Sequence, residues 1–145
     1  MTHRLLVHGA VLLAAIVFSG CSKPQRGGPR LTTSPVFGIV QVDGQATEMV
    51  EVNCHPEGDT SKIKYTVTSM TDKDGKFTLG TYEGGDGLPE GIYTLSFKWI
   101  ETGFAPKDKF RGAYADPAKS EHKVTIKGDK GEKIDLGIIE LKSKK

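Results

Sequence analysis

From residue 35 to residue 141, apolar and polar positions alternate with a period of two, and glycine punctuates the alternation. Such a pattern puts successive side chains on opposite faces of a strand, whereas an amphipathic helix needs apolar residues three and four apart. No stretch keeps the helical spacing over an ordinary helix length, so the pattern predicts an all-β chain. Residues 36–42 (VFGIVQV) are apolar on both faces, which predicts a strand covered on both sides, closed by Asp43-Gly44. Val50, Val52 and Cys54 alternate with Glu51, Asn53 and His55, giving one dry face and one wet face. Ile63, Tyr65 and Val67 alternate with Lys64, Thr66 and Thr68 in a third strand. Asp74-Gly75 is turn chemistry leading to Phe77 and Leu79, so the third and fourth strands are expected to form a hairpin. Tyr93, Leu95, Phe97 and Trp99 share one face of a fifth strand, with Thr94, Ser96 and Lys98 on the other. Val124 and Ile126, then residues 134–141, are expected as a final hairpin around GDKGEK. Seven short strands in about 110 residues predict a two-sheet β-sandwich, because each amphipathic sheet must cover its dry face; a small barrel is the alternative.

The first residues follow a different pattern. Arg4 precedes an apolar stretch, residues 10–18, that ends in Ser19 and Gly20. This reads as a secretory signal peptide over residues 1–20, because the apolar run falls short of the roughly 20 residues that cross a bilayer. Residues 22–34 (SKPQRGGPRLTTS) hold prolines, a Gly-Gly pair and cations with little apolar content, which predicts a flexible tether. Extended at about 3.3–3.6 Å per residue, it would reach some 40 Å. The expected plan is a signal at 1–20, a modified cysteine and disordered tether at 21–34, and a folded domain at 35–145. Composition sharpens this reading: 18 glycines in 145 residues require many tight turns. The formal charge of +2 is mixed along the chain, which leaves no basic footprint for nucleic acid.

Phe18-Ser19-Gly20-Cys21 resembles the lipobox of bacterial lipoproteins, in which an apolar residue and two small ones precede a cysteine. That resemblance implies diacylglycerol on Cys21, cleavage before it, and a membrane as partner; ordinary cleavage leaving Cys21 as a thiol is the alternative. Ser22 in place of aspartate resembles outer-membrane cargo, so the expected location is the cell envelope, with the outer membrane favoured and a periplasmic or surface-facing domain. Val36-x-Gly38-x-Val40, Asp43-Gly44, Thr71-Asp72-x-Asp74-Gly75-Lys76-Phe77-x-Leu79 and Gly91-x-Tyr93-x-Leu95 resemble the carboxypeptidase regulatory-like domain, over about residues 35–141. Residues 87–93 and Tyr114-x-Asp116-Pro117-x-x-Ser120 further resemble small planctomycete envelope lipoproteins. Glu48-Met49-Val50 departs from the pattern, since relatives often carry Gly-Ala before the valine. The resemblance implies a seven-stranded, prealbumin-like (Ig-like) β-sandwich acting as a noncatalytic structural or interaction module, with no cofactor.

Candidate chemistry changes this picture little. Asp72-x-Asp74-Gly75 lacks the ligand spacing of an EF-hand-type calcium loop and reads as a capped turn. Glu83, Asp86 and Glu90 are too loosely arranged for more than a weak cation site. Cys54 falls in the apolar phase as a buried thiol, and its neighbour His55 points to the opposite face, so the two do not share a metal. No catalytic residue and no metal ligand is assigned. A transthyretin-like hydrolase is a remote alternative, because Phe110-Arg111-Gly112-Ala113 is internal where that family ends in Tyr-Arg-Gly-Ser. The long connection, residues 101–121, carries Phe104, Phe110 and Tyr114 beside Lys107, Lys109 and Arg111. Two arrangements are open. The aromatics could stack on a glycan or an envelope protein as a binding loop, or they could pack over an open end of the sandwich with the cations in water.

Overall fold

The computed structural model describes residues 29–128 and 131–143. Its strands are β1 (Thr33–Ser34), β2 (Val36–Val42), β3 (Gln45–Ala46), β4 (Val50–Pro56), β5 (Val67–Met70), β6 (Lys76–Leu79), β7 (Leu88–Pro89), β8 (Gly91–Glu101), β9 (Lys107–Asp108), β10 (Lys123–Ile126) and β11 (Ile134–Leu141). Among the described residues the helical structure is a single 3₁₀ turn, Pro117–Lys119. The chain is all-β and sandwich-like, as the period-two pattern predicts. One sheet runs β10-β8-β4-β5, with β9 folded back on the end of β8. The other pairs β11 with β2 in parallel, while β6 and β3 divide the opposite edge of β2 between residues 36–39 and 41–42. A short β1–β7 pair stands apart.

The dry faces meet in one core. Val36, Val40, Val42, Leu79, Ile139 and Leu141 come from the smaller sheet, and Val50, Val52, Cys54, Val67, Leu95 and Phe97 from the larger. Each such side chain contributes about 1.5–3 kcal/mol when fully buried. Gly38 has a specific use in this packing: the Phe77 ring from β6 occupies the space a side chain would take. Tyr93 reaches the core with its hydroxyl satisfied, donating to the Pro89 carbonyl at 2.8 Å.

Both expected hairpins are crossovers instead. β5 pairs with β4 and β6 with β2, so Thr71-Asp72-Lys73-Asp74-Gly75 carries the chain from one sheet to the other. The turn chemistry is as read, with Asp72 Oδ1 accepting from the amides of Asp74 and Lys76, both at 2.9 Å. Asp74 instead faces Lys76 at 3.7 Å. Tertiary bonds decide the partners. Thr71 Oγ1 donates to the Thr47 carbonyl (2.8 Å) and accepts from the Val50 amide (2.9 Å), while the Val40 amide donates to the Gly75 carbonyl (2.8 Å). Likewise β10 joins β8 and β11 joins β2, so the final pair also spans the sheets.

Other expectations are adjusted. The third strand is Val67–Met70 rather than residues 63–68, because the preceding segment docks on the start of β8. Ser61 Oγ donates to the Ile92 carbonyl and the Lys62 amide to that of Glu90. Ile63 is buried from that coil, and Tyr65 is 49% exposed. β2 is covered on one face only: Phe37 and Ile39 point outward, half-buried, beside the exposed Ile138. Conversely, Thr94 and Ser96 on the outward face of β8 are buried. The signal, Cys21 and tether residues 22–28 lie outside the described residues. The expected tether does not stay free to Ser34, since Arg30 pairs with Glu83 (2.5 Å) and Thr33–Ser34 forms β1 against β7.

Gly75 has φ +72, and a Cβ there would run into the Val40 carbonyl, whereas at Gly44 (φ +80) it would meet nothing. Gly75→Ala is therefore expected to cost at least about 2 kcal/mol in urea unfolding, and Gly44→Ala only about 1 kcal/mol, from backbone conformation alone. Equal losses would show that the crossover is not tightly held.

Candidate functional site

β10 pairs with only the first four residues of the eleven-residue β8. Beyond them the edge amides of β8 need other acceptors, since an unpaired buried amide costs as much as a lost hydrogen bond. The long connection supplies them in turn. Leu95 donates to the His122 carbonyl (2.8 Å), Phe97 to the Tyr114 carbonyl (2.9 Å) and Trp99 to Asp108 Oδ1 (3.0 Å). Asp108 is the hub of this arrangement. Its carboxylate also accepts from the amides of Phe110 (2.9 Å) and Gly112 (2.8 Å), wrapping the chain into a tight turn where Arg111 has φ 52 and Gly112 φ 81.

This cover determines where the six loop residues lie. Phe110 is fully buried, 5.7 Å from the Trp99 ring and 4.9 Å from Tyr114 in a T-shaped contact. Tyr114 packs on the core with its hydroxyl accepting from the Lys142 amide (2.9 Å). Phe104 stands fully exposed at the tip of the β8–β9 hairpin, with Lys107 and Arg111 exposed beside or beyond it. Lys109 lies back over Trp99, its Nζ 4.3 Å from the ring centroid. The three aromatics thus do not assemble into one stacking platform; two pack inward and one points out. Sequence reading missed Asp108 and the role of Trp99. The available signal was an aspartate four residues before a glycine, a spacing at which one carboxylate can collect several turn amides.

The same hairpin bounds an open groove of about 650 Å³, between the turn leaving β2 and the end of β8. Trp99 and Met49 line it together with Glu48, Glu101, Thr102 and Lys109. Met49 takes φ 62, a left-handed conformation that a residue of this size rarely adopts. It is held on both sides, its amide donating to the Thr71 carbonyl (3.2 Å) and its carbonyl accepting from the Ile100 amide (2.8 Å). One wall of the groove is therefore rigid.

Elsewhere the polar side chains are engaged with each other. His55 Nε2 lies 2.8 Å from Ser96 Oγ, and its Nδ1 lies 3.1 Å from Thr66 Oγ1. A hydroxyl stands where a catalytic triad would place a carboxylate, and the trio ties β4 to β8 and to the segment just before β5. Glu57 bonds Thr94 and pairs with Lys123 (2.8 Å). Of the three loosely grouped acids, Asp86 caps the amides of Thr81, Tyr82 and Glu83, Glu83 meets Arg30, and Glu90 meets Lys62. Among the described residues no group of three or more His, Cys, Asp or Glu is placed to hold a metal ion. Burial pushes the Cys54 thiol up to about 12, which keeps it protonated and unreactive.

No family model and no curated protein matches the chain. Among solved structures it is similar to a 9R-lipoxygenase from Cyanothece PCC8801, at 11% identity and a TM-score of 0.41. The match covers 83% of this chain and 18% of the lipoxygenase. At that level of similarity nothing about activity passes from one to the other.

Phe110→Ala is expected to cost about 3–5 kcal/mol, and Phe104→Ala less than about 0.5 kcal/mol, in chemical denaturation. A destabilised Phe104→Ala protein would mean the tip packs on something in the fold. A second expectation concerns pH. Burial holds His55 below its ordinary value of 6.5, with the Lys98 charge adding to the effect, and burial lowers His122 against the pull of Glu121. The unfolded chain then binds protons that the folded one refuses. Stability should fall as pH drops through 6.5 and level off below the depressed values. Melting temperature across about pH 7 to 5 reads this, and a His55→Gln/His122→Gln protein should show a flatter profile.

Proposed function

We propose that the chain is an exported, lipid-anchored module of a bacterial envelope that acts by holding or contacting a partner rather than by catalysis. Its fold is read as the seven-stranded prealbumin-like sandwich of carboxypeptidase regulatory-like domains. In support, β6-β2-β11 faces β5-β4-β8-β10 with β2 and β11 parallel, and the short β1, β3, β7 and β9 add to that frame.

One observation carries the interaction role. The chain from Arg30 to Ser34 enters beside β7 and the start of β8, whereas Phe104 and the open groove lie where β8 ends. At about 3.3 Å per residue the eleven residues of β8 separate those ends by roughly 35 Å. A domain held by acyl chains on Cys21 would present the groove and an unpacked aromatic away from its leash. Two or three acyl chains suffice for stable anchoring, at about 0.8 kcal/mol per buried methylene. The glycan reading draws less support, because Phe110 and Tyr114 are spent in packing.

Metabolic labelling with a fatty acid tests the anchor: the native protein should take up label, and Cys21→Ala should not. Equal labelling of the two would overturn lipidation at Cys21. Crosslinking in intact cells should capture a partner through photoreactive groups at position 104 and not at Lys62, near the opposite end.

A further inference from the structure

The groove beside Trp99 already contains the start of a recognition site. The Trp99 ring is backed by Phe110 and carries the Lys109 ammonium 4.3 Å from its centroid, a geometry in which the negative face of an indole attracts a cation. The lysine backbone is pinned there by its amide, which donates to the Trp99 carbonyl at 2.8 Å. Its side chain is exposed, and no carboxylate of the described residues pairs with it. Around this ring the groove is acidic. Glu48 and Glu101 line it as exposed carboxylates without an ion-pair partner among the described residues, so its acids outnumber its single cation.

We propose that this groove receives a lysine or arginine side chain from an extended segment of a partner polypeptide. The incoming cation takes the place of Lys109 over Trp99, and Glu48 and Glu101 meet its charge. Lys109 is then an internal stand-in. It keeps the ring face covered in the free protein, and displacing it into water costs little because it is exposed already. The held Met49 wall and the tilted Trp99–Phe110 contact make the site ready-formed, so binding orders few groups. A tethered competitor weakens apparent affinity by the fraction of time it occupies the site, so its removal should tighten binding. This inference rests on the interaction-module reading and names the chemistry of its partner.

The experiment uses the one tryptophan of the chain as its own reporter. The full-length protein in detergent micelles is titrated with an acetylated, amidated tetralysine peptide, with the same peptide acetylated on every side chain, and with a neutral chito-oligosaccharide. A saturable change in Trp99 emission is expected with tetralysine alone, weakening as salt is raised. Lys109→Ala should bind about threefold tighter, and Glu48→Gln/Glu101→Gln about threefold or more weaker, with both variants still unfolding cooperatively. No saturation at millimolar tetralysine, equal binding of the neutralised peptide, or no tightening in Lys109→Ala would overturn the proposal. Saturation by the oligosaccharide in place of the peptide would overturn it in favour of a sugar site. The titration is repeated on Cys21→Ala. A module that loses its acyl label but still binds tetralysine fails as to anchoring alone, and one that is labelled but does not bind fails as to the groove alone.

Discussion

The central constraint in this molecule is an edge that must be closed. β8 is much longer than the strand beside it, and every second amide along its outer edge after Thr94 would otherwise face water or another chain. A sheet edge of that length invites association. Here the chain covers its own edge with two backbone carbonyls and the carboxylate of Asp108. The aspartate does more than terminate a strand: by collecting three amides it sets the turn at Arg111 and Gly112, drives Phe110 under Trp99, and brings Lys109 over the ring. The groove and the projecting Phe104 are by-products of that closure.

Strands were legible in the sequence because their faces differ in polarity, and partners were not. The alternation around Val50, Val52 and Cys54, and the one from Tyr93 to Trp99, mark β4 and β8 because each buries one face in a common core. Asp72 and Gly75 likewise declare a tight turn through local bonds. Whether a turn returns to its own sheet or crosses to the other depends on bonds made far away in sequence, here by Thr71 to Thr47 and Val50 and by Val40 to Gly75. Nothing within five residues encodes that choice. Ile63 and Tyr65 mislead for a related reason: their alternation is real, but the segment before them is held on β8 through Ser61 and Lys62, so only Val67–Met70 joins a ladder.

The candidate loop was legible by its length and its aromatics, and its internal division was not. Phe104, Phe110 and Tyr114 are chemically alike, and only tertiary placement separates a tip from a core residue. The carboxylate that decides between them sits two residues before Phe110, in a sequence where aspartates are common. Polar residues elsewhere follow the same economy. His55, Ser96, Thr94 and Glu57 lie on the outward face of the larger sheet and spend their hydrogen bonds on each other and on Lys123 and Thr66.

The parallel pairing of β2 with β11 joins residues about a hundred positions apart, and it sets the order of events when the chain is made. β2 emerges early, yet one of its edges stays vacant until residue 141 has been synthesised. At ~5–20 residues per second that is an interval on the order of ten seconds. The backbone groups along that edge of β2 then lack their partner strand, with Phe37 and Ile39 on the outward face beside them. A strand among the earliest laid down, β2 is therefore among the last to be completed, and for that interval its open edge leaves the nascent chain stickier than the finished molecule.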